Sequence, residues 1–302
     1  MSSDKSMSIV PESNLSHLRP IHKGKVRDIY EVDENHLLII TTDRLSAFDV
    51  VLPQSIPHKG EVLTRLANFW FKKTNHLIPN HLTDFPLEKA IPNKNERELF
   101  GDRAIVVKKL KPLPIEAIVR GYIIGSGWNE YRKTGKICDI ELPKNLKLAE
   151  KLPKPIFTPS TKASVGDHDQ NINFETMKKL IGDEIAKKLR DVSLQIYTES
   201  SAYALSKGII IADTKFEFGI DKDEKLYLID EVLTPDSSRF WPSDKYYSGI
   251  SPPSFDKQFV RDYLETLDWD KKAPGPDLND EIIEKTSQKY LEAEKRLTKS
   301  SD

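Results

Sequence analysis

Residues 208–232 hold the densest concentration of usable chemistry in the chain. The run Gly-Ile-Ile-Ile-Ala-Asp-Thr-Lys-Phe-Glu-Phe-Gly has the β-branched and aromatic composition of a strand. Side chains alternate between the faces of a strand, so Asp213, Lys215 and Glu217 share one face while Thr214, Phe216 and Phe218 share the other. The aromatic face calls for a core. The acid–base–acid face must be solvated or paired, because burying an unpaired charge is costly. A second strand over 225–233 follows a turn at Asp221-Lys222-Asp223-Glu224. With that turn, Ile220 opposes Lys225, Lys215 opposes Asp230, and Glu217 is diagonal to Asp230, about 7–8 Å away at Cα. A loop one residue longer or shorter places Glu231 on that face instead. Glu217 and Asp230, two carboxylates with a space between them, suit Mg2+, which takes one or two carboxylates together with substrate phosphates and water. The plainer alternative is an exposed face with a single Lys–Asp bridge.

Further along lies Asp230-Glu231-Val232-Leu233-Thr234-Pro235-Asp236-Ser237-Ser238-Arg239. Small hydroxyls beside a guanidinium make an anion site, the guanidinium being a forked and permanent charge. A second such element, Ile118-Val119-Arg120-Gly121-Tyr122-Ile123-Ile124-Gly125-Ser126-Gly127, ends a strand with Arg120 and opens a helix at Ser126, where unpaired N–H groups can face a phosphate. A third, Lys23-Gly24-Lys25-Val26-Arg27-Asp28, sets one glycine among three cations in a short turn and can lie over a polyphosphate. It is neither a Walker A loop nor a dinucleotide fingerprint, and an exposed basic turn is the alternative. Two polar turns complete the set: Asp43 to Asp49, and Thr158-Pro159-Ser160-Thr161-Lys162 followed by Gly166-Asp167-His168-Asp169. The histidines do not cluster at metal-ligand spacing.

The elements that must position these groups read as follows. Strand-like runs Gly24–Val32, Leu37–Thr42 and Phe48–Leu52 form an antiparallel meander. A helix follows Gly60, with Leu63, Leu66, Phe69, Trp70 and Leu77 near helical spacing. Residues 79–102 read as loop with short pieces. Strands Ala104–Leu110 and Ile115–Ile124 are bounded at their join by Pro112 and Pro114, and a short helix spans Gly125–Gly135. Residues 142–160, with four prolines, read as a long loop. A helix over Asp183–Ser206 precedes the hairpin, and helices near 255–267 and 279–297 follow it, separated by a Pro/Gly linker at 274–276. Runs of strands with segregated helices predict an α+β fold with largely antiparallel sheets.

Composition removes several classes. With 46 basic against 47 acidic residues the net charge is -1, which lacks the basic footprint of a non-specific nucleic-acid binder. Cys138, the one cysteine, cannot form an internal disulfide and fits a reducing, cytoplasmic setting; it reads as a plain small side chain. No stretch approaches the roughly 18 apolar residues of a membrane span, and Met1–Ser16 is not a signal peptide. The expected organisation is a disordered segment over residues 1–15, an N-terminal nucleotide-binding lobe over 16–110, a substrate- and metal-binding lobe over 111–270, and a linker with a C-terminal helix over 271–302.

Six motifs, GKVRDIY, TTDRLSAFDV, IVRGYIIGS, FTPSTK, GIIIADTKFEFG and DEVLTPDSSRFW, together resemble the SAICAR synthetase family, more its yeast-type branch than the short bacterial one. The resemblance covers about residues 20–265 in family order. It implies a two-lobed α+β fold loosely similar to ATP-grasp and kinase folds, with nucleotide in the cleft. It implies an ATP- and Mg2+-dependent ligase that joins L-aspartate to carboxyaminoimidazole ribotide in purine synthesis. Lys23, Gly24, Lys25, Val26 and Arg27 would lie by the ATP phosphates, the backbone from Lys108 to Leu110 by adenine, and Glu116 by the nucleotide ribose. Glu217 and Asp230 would hold the metal, and Lys215 would sit by the substrate carboxylate. Arg120, Ser126 and Arg239 would hold the ribotide phosphate and Asp213 its ribose. Ser46 and Asp49 would serve the imidazole-carboxylate and aspartate end, and Lys162 and Asp169 a loop over the substrates. A monomer is expected. A small-molecule kinase using the same cleft, or a nucleotide-sensing module, are the rival readings.

Overall fold

The computed structural model describes residues 9–162 and 170–299, so Asp169 lies outside the described residues. The chain divides into two compact units: Met1–Phe69 with Leu82–Lys109 and Phe255–Asp302, and Trp70–His81 with Leu110–Ser254.

The first unit opens with strands β1 (Arg19–Lys23), β2 (Arg27–Glu31), β3 (His36–Thr41), β4 (Arg44–Ala47) and β5 (Val50–Ser55), then helix α1 (Lys59–Lys73), within which the division between the units falls. Short helices α2 (Leu87–Ala90) and α3 (Lys94–Phe100) lead into β6 (Ala104–Lys108). Strands β1-β2-β3-β6 form an antiparallel sheet in that order. The meander holds only for its first two strands, β2 and β3: the run read as its third, Phe48–Leu52, pairs as β5 with β4 in a separate two-stranded sheet, and β6 takes the place beside β3. An added outer strand, β1, carries Arg19, His22 and Lys23, which blunt an exposed edge. One face of the sheet buries Tyr30, Leu38, Ile40, Ala104 and Val106 against Ala90, Ile91 and Phe100. Val10 and Leu15 join that core, each 2% exposed. Ser13 donates through its main-chain N–H (3.1 Å) and its hydroxyl (2.7 Å) to the Asp28 carboxylate, which also takes Arg44 Nη2 at 2.6 Å. Residues 9–15 therefore correct the expectation of a disordered start. The segment Ile9-Val10-Pro11-Glu12-Ser13-Asn14-Leu15 is too short to show a period of its own, and the partners that order it come from distant strands.

The second unit holds β7 (Lys111–Tyr122), α4 (Gly125–Thr134), β8 (Lys136–Ile137), β9 (Ile140–Glu141), β10 (Lys151–Phe157), β11 (Ser160–Thr161), α5 (Phe174–Ile181), α6 (Asp183–Ser206), β12 (Ile209–Ile220), β13 (Leu226–Ile229) and β14 (Ser238–Pro242). The chain then returns to the first unit with α7 (Gln258–Leu264) and α8 (Asp280–Thr298). In the second unit β10-β7-β12-β13 form an antiparallel sheet, with β11 added to β7 and β14 to β12. Phe216 and Phe218 are buried on one face, as their alternation requires, and α6 lies against β7 and β12.

Four expectations change. Residues 142–160 are not one loop, because β10 and β11 pair with β7. Pro153 and Pro155 hid β10; its register is irregular between Lys151 and Ile156, and proline is tolerated on a strand paired along one edge only. Strand β7 begins at Lys111 and runs through Pro112 and Pro114 instead of starting after them. Helix α5, capped by the Asn173 side chain on Thr176 N–H at 2.8 Å, and strand β14 were not anticipated. Finally, residues 255–270 belong to the first unit, because Val260, Leu264 and Leu278 pack with Leu45, Leu52 and Ile56.

If residues 9–15 are structural, Leu15→Ala should lower the unfolding free energy by about 2–5 kcal/mol, the range for truncating a buried leucine. A denaturant titration checks this, and an unchanged midpoint would return the segment to the disordered category.

Candidate active site

The pairing of β7 with β12 builds the site. Asp213 stands directly opposite Arg120, Lys215 opposite Ile118 and Glu217 opposite Glu116, so all six share one face. Two carboxylates facing each other repel unless a cation lies between them. Lys215 Nζ supplies it, at 2.6 Å from Glu116 Oε1 and 3.6 Å from Glu217 Oε1. Lys162, just after β11, also pairs with Glu217. Burial pushes the Lys215 ammonium down, but the Glu217, Glu116 and Asp230 carboxylates outweigh that and hold it above its ordinary value. With the folded value raised, the charged form is complete below the unfolded pKa of about 10.4 and is lost only as pH rises through the higher folded value. Lys215 is thus a fixed cation at neutral pH.

The hairpin differs in register from the one that a four-residue turn at 221–224 would give. Ile220 opposes Leu226 and Glu217 opposes Ile229, so Asp221–Lys225 is the loop, one residue longer. The Asp221 carboxylate makes it so by accepting from Asp223 N–H at 2.9 Å and Lys225 N–H at 3.0 Å, while Glu224 takes a left-handed φ of 59°. A ladder continued in this register would carry Glu231 to the site face. It stops at Ile229 instead, where Asp230 adopts a φ of 65°. Asp230 stays close enough to act on Lys215, and Glu231 is buried with an oxygen 2.5 Å from Thr234 Oγ1.

At the other end of the same face, Arg120 is 2% exposed and directs its three nitrogens to Thr158 Oγ1 (2.9 Å), Asp213 Oδ2 (3.1 Å) and Ser126 Oγ (3.0 Å). Arg239, from β14, reaches the same Asp213 oxygen at 2.6 Å and remains partly exposed. Its guanidinium lies against Gly125, where a Cβ would come within 2.4 Å of Nη2 and where φ is 59°. Both facts demand glycine. Gly125 starts α4, and the residue before it, Ile124, offers no side-chain cap, so the first-turn N–H groups are left for another acceptor. Ser126, Arg239 and this helix start together form a cradle of donors that could hold an anion. Beside it a hollow of about 450 Å³ is lined by Glu116, Ile118, Ser126, Ser160, Gln170 and Asn171. Ser160 Oγ donates to Glu116 at 3.2 Å, and Asn171 Nδ2 to Glu130 at 2.8 Å.

In the first unit, the Lys23–Arg27 turn is closed by Gly24 N–H to Arg27 O at 2.8 Å. Val26 is buried, and Arg44 donates to the Gly24 and Lys25 carbonyls at 2.9 and 3.1 Å. Lys23 pairs with Glu12 at 3.2 Å, and Lys25 pairs with Asp49. Asp49 and Phe48, at φ 64° and 51°, make the tight turn between β4 and β5, while Ser46 is buried in β4. Ser46 and Asp49 therefore differ in exposure. Lys108 closes β6 opposite His36, and Leu110 begins the second unit's stretch. Cys138 is buried and its thiol is pushed up to about 12, chiefly by burial, which suits an inert side chain. Sequence reading did not anticipate the Glu116–Lys215 pair, Thr158 on Arg120, or Gln170 and Asn171 on the hollow. The TPST motif was the signal for Thr158; the Glu116–Lys215 pair, Gln170 and Asn171 had none.

Convergent donors and a lysine–carboxylate cluster on one sheet face, within an antiparallel α+β framework, are the arrangement of an enzyme for charged small molecules. The sequence profile of SAICAR synthetase matches residues 20–276, and the chain belongs to that family. It is 60% identical over 290 residues to the phosphoribosylaminoimidazole-succinocarboxamide synthase of Thioalkalivibrio sulfidiphilus, covering 96% of this chain and 98% of that one. Among solved structures, the SAICAR synthase of Saccharomyces cerevisiae complexed with SAICAR is 43% identical, with a TM-score of 0.89 over 96% of this chain and 98% of that one. A SAICAR synthetase in complex with ADP is 26% identical, with a TM-score of 0.68 over 92% of this chain and 97% of that one.

Asp213 joins two guanidiniums, so Asp213→Asn should cost about 3–5 kcal/mol, the usual effect of removing one partner from a buried ion pair. Chemical denaturation measures it, and a loss below about 1 kcal/mol would mean that Arg120 finds another counter-charge.

Proposed function

We infer that the chain is an ATP-dependent ligase that condenses L-aspartate with the carboxylate of carboxyaminoimidazole ribotide, giving the succinocarboxamide, ADP and phosphate. The observation that carries this reading is the fixed Lys215 cation between Glu116 and Glu217, on the same face as the Ser126–Arg239 cradle and its hollow. The relatives of the same name, the yeast structure with SAICAR and the structure with ADP support it.

The chemistry follows from the substrate. A carboxylate acylates poorly because its oxygen leaves badly. One carboxylate oxygen of the ribotide attacks the γ-phosphorus of ATP, ADP leaves, and an acyl phosphate forms. The aspartate amine attacks the acyl carbon, inorganic phosphate departs with the bonding pair, and the amine loses a proton. The protein aligns the reactants and neutralises charge. In this scheme Arg239 and Ser126 grip the ribotide phosphate, Arg120 holds Ser126 in place, and Asp213 faces the ribose while orienting both arginines. Lys215 meets the imidazole carboxylate. Lys23, Gly24, Lys25, Val26 and Arg27 receive the ATP phosphates, with Lys25 exchanging Asp49 for phosphate, and the Lys108–Leu110 backbone and Glu116 serve the rest of the nucleotide. Ser46 and Asp49 are assigned to the imidazole-carboxylate and aspartate end. Lys162, now on Glu217, and Asp169 are assigned to the substrates as well.

Among the described residues no group of three or more His, Cys, Asp or Glu side chains is arranged to hold a metal unaided. Glu217 and Asp230, both acting on Lys215, fit magnesium of the kind that completes its shell with phosphate and water oxygens. Bound there, the ion would supply positive charge to the phosphates. A monomer in the reducing cytoplasm completes the proposal, and the single buried thiol suits that compartment.

A coupled ADP-release assay with ribotide, in arms with and without aspartate, tests the reaction. ADP release that needs ribotide but not aspartate would favour a kinase. Glu217→Gln should cut turnover by about 100-fold or more while nucleotide binding changes less, the signature of lost transition-state stabilisation. Near-normal turnover at ordinary magnesium would remove Glu217 from the metal site. Arg239→Ala should raise KM for the ribotide roughly 10- to 100-fold, as expected for a lost charge-assisted contact, and leave that for ATP nearly unchanged. Equal effects on both would move Arg239 out of the phosphate cradle.

A further inference from the structure

Strand β12 is not regular where it matters. Against β14, Ile211 opposes Phe240 while Thr214 opposes Ser238, so β12 has one residue more than its partner between these points. That is a β-bulge, and it changes which side chains share a face. Ile210 and Ala212 pack with Tyr122 and Trp241. Asp213 is paired with Arg120, and Arg120 and Tyr122 lie two apart on β7, on one face. Ala212 and Asp213 are neighbours in sequence yet both emerge on that face. Without the extra residue, an Ala212 packed on Tyr122 would turn Asp213 to the opposite side, away from both arginines.

A bulge leaves main-chain groups without ladder partners, and something must satisfy them. Tyr197, from α6, does so. Its hydroxyl donates to Ile211 O at 2.6 Å and lies 3.4 Å from Ala212 O. The same oxygen hydrogen-bonds with the Gly121 main chain, between Arg120 and Tyr122 on β7. Tyr197 is 3% exposed and reaches this point only because residue 121 has no side chain: a Cβ there would sit 2.0 Å from the hydroxyl. One buried phenol thus binds β12 just before Asp213 and β7 just after Arg120.

We propose that Tyr197 is the positioning residue of the anion cradle, keying the β12 bulge so that Asp213 holds Arg120 and Arg239 toward the ribotide phosphate. It touches no substrate and acts through Asp213, with Gly121 as the space that admits it. The proposal rests on the cradle being the phosphate site.

The test compares Tyr197→Phe, Gly121→Ala and Arg239→Ala in steady-state assays, below the melting transition of each. Tyr197→Phe should raise KM for the ribotide roughly five- to tenfold, the factor one lost hydrogen bond supplies, with kcat and KM for ATP within about twofold of the parent. Gly121→Ala should shift the same constant in the same direction. A second readout uses inorganic phosphate: the rise in melting temperature it gives the parent enzyme should shrink in Tyr197→Phe. An unchanged ribotide KM in Tyr197→Phe, an undiminished phosphate effect, or a fall in kcat with every KM rising together would overturn the positioning role. If Arg239→Ala itself leaves the ribotide KM unaltered, the phosphate assignment fails first.

Discussion

Glu116 and Glu217 stand opposite one another on neighbouring strands, and the rest of the site depends on that repulsion being answered. Directly opposed side chains lie about 4.5–5.5 Å apart at Cβ, too close for two carboxylates in a partly buried place without a cation. Lys215 answers from between them, and Lys162 adds a second positive charge from the β11 end. The arrangement leaves an ammonium whose charge is locked at neutral pH, with neighbouring acids available to exchange partners when a ligand arrives. A site built this way is electrostatically loaded before any substrate binds, the condition under which fixed charges lower a barrier without reorganising.

The two faces of β12 divide the labour. Phe216 and Phe218 anchor one to the core, while Asp213, Lys215 and Glu217 occupy the other. Apolar anchorage is what permits so many charges on the opposite side, since it fixes the strand independently of their pairing. The arginine end repeats the principle in a smaller space. Asp213 takes two guanidiniums, one buried and one partly open, so Arg120 is fixed in place while Arg239 keeps part of its surface accessible. The first unit is secured by its own buried pair, Asp28 with Arg44, and by the short N-terminal segment that closes over it.

Much of this was legible in the chain. The alternation in ADTKFEFG placed three charges on one face and two aromatics on the other, and the structure keeps that division. The motifs identified the family and the α+β class. What escaped had local causes. Pro153 and Pro155 masked an edge strand, and the Asp221 turn lengthened the hairpin by one residue, which moved the register. Nothing in the helical stripe of α6 singles out Tyr197, because its hydroxyl serves carbonyls of a strand that follows in sequence.

By itself the sequence determined the residue types, their alternation and hence which charges travel together, because the two-residue period of a strand is a property of the backbone. Tertiary structure decided which of those charges meet. The opposition of Glu217 and Glu116 and the sharing of Asp213 by Arg120 and Arg239 arise from pairing between strands far apart in the chain. Register across such distances is set by packing, bulges and loop hydrogen bonds acting together, and a slip of one residue would put each side chain on the wrong face.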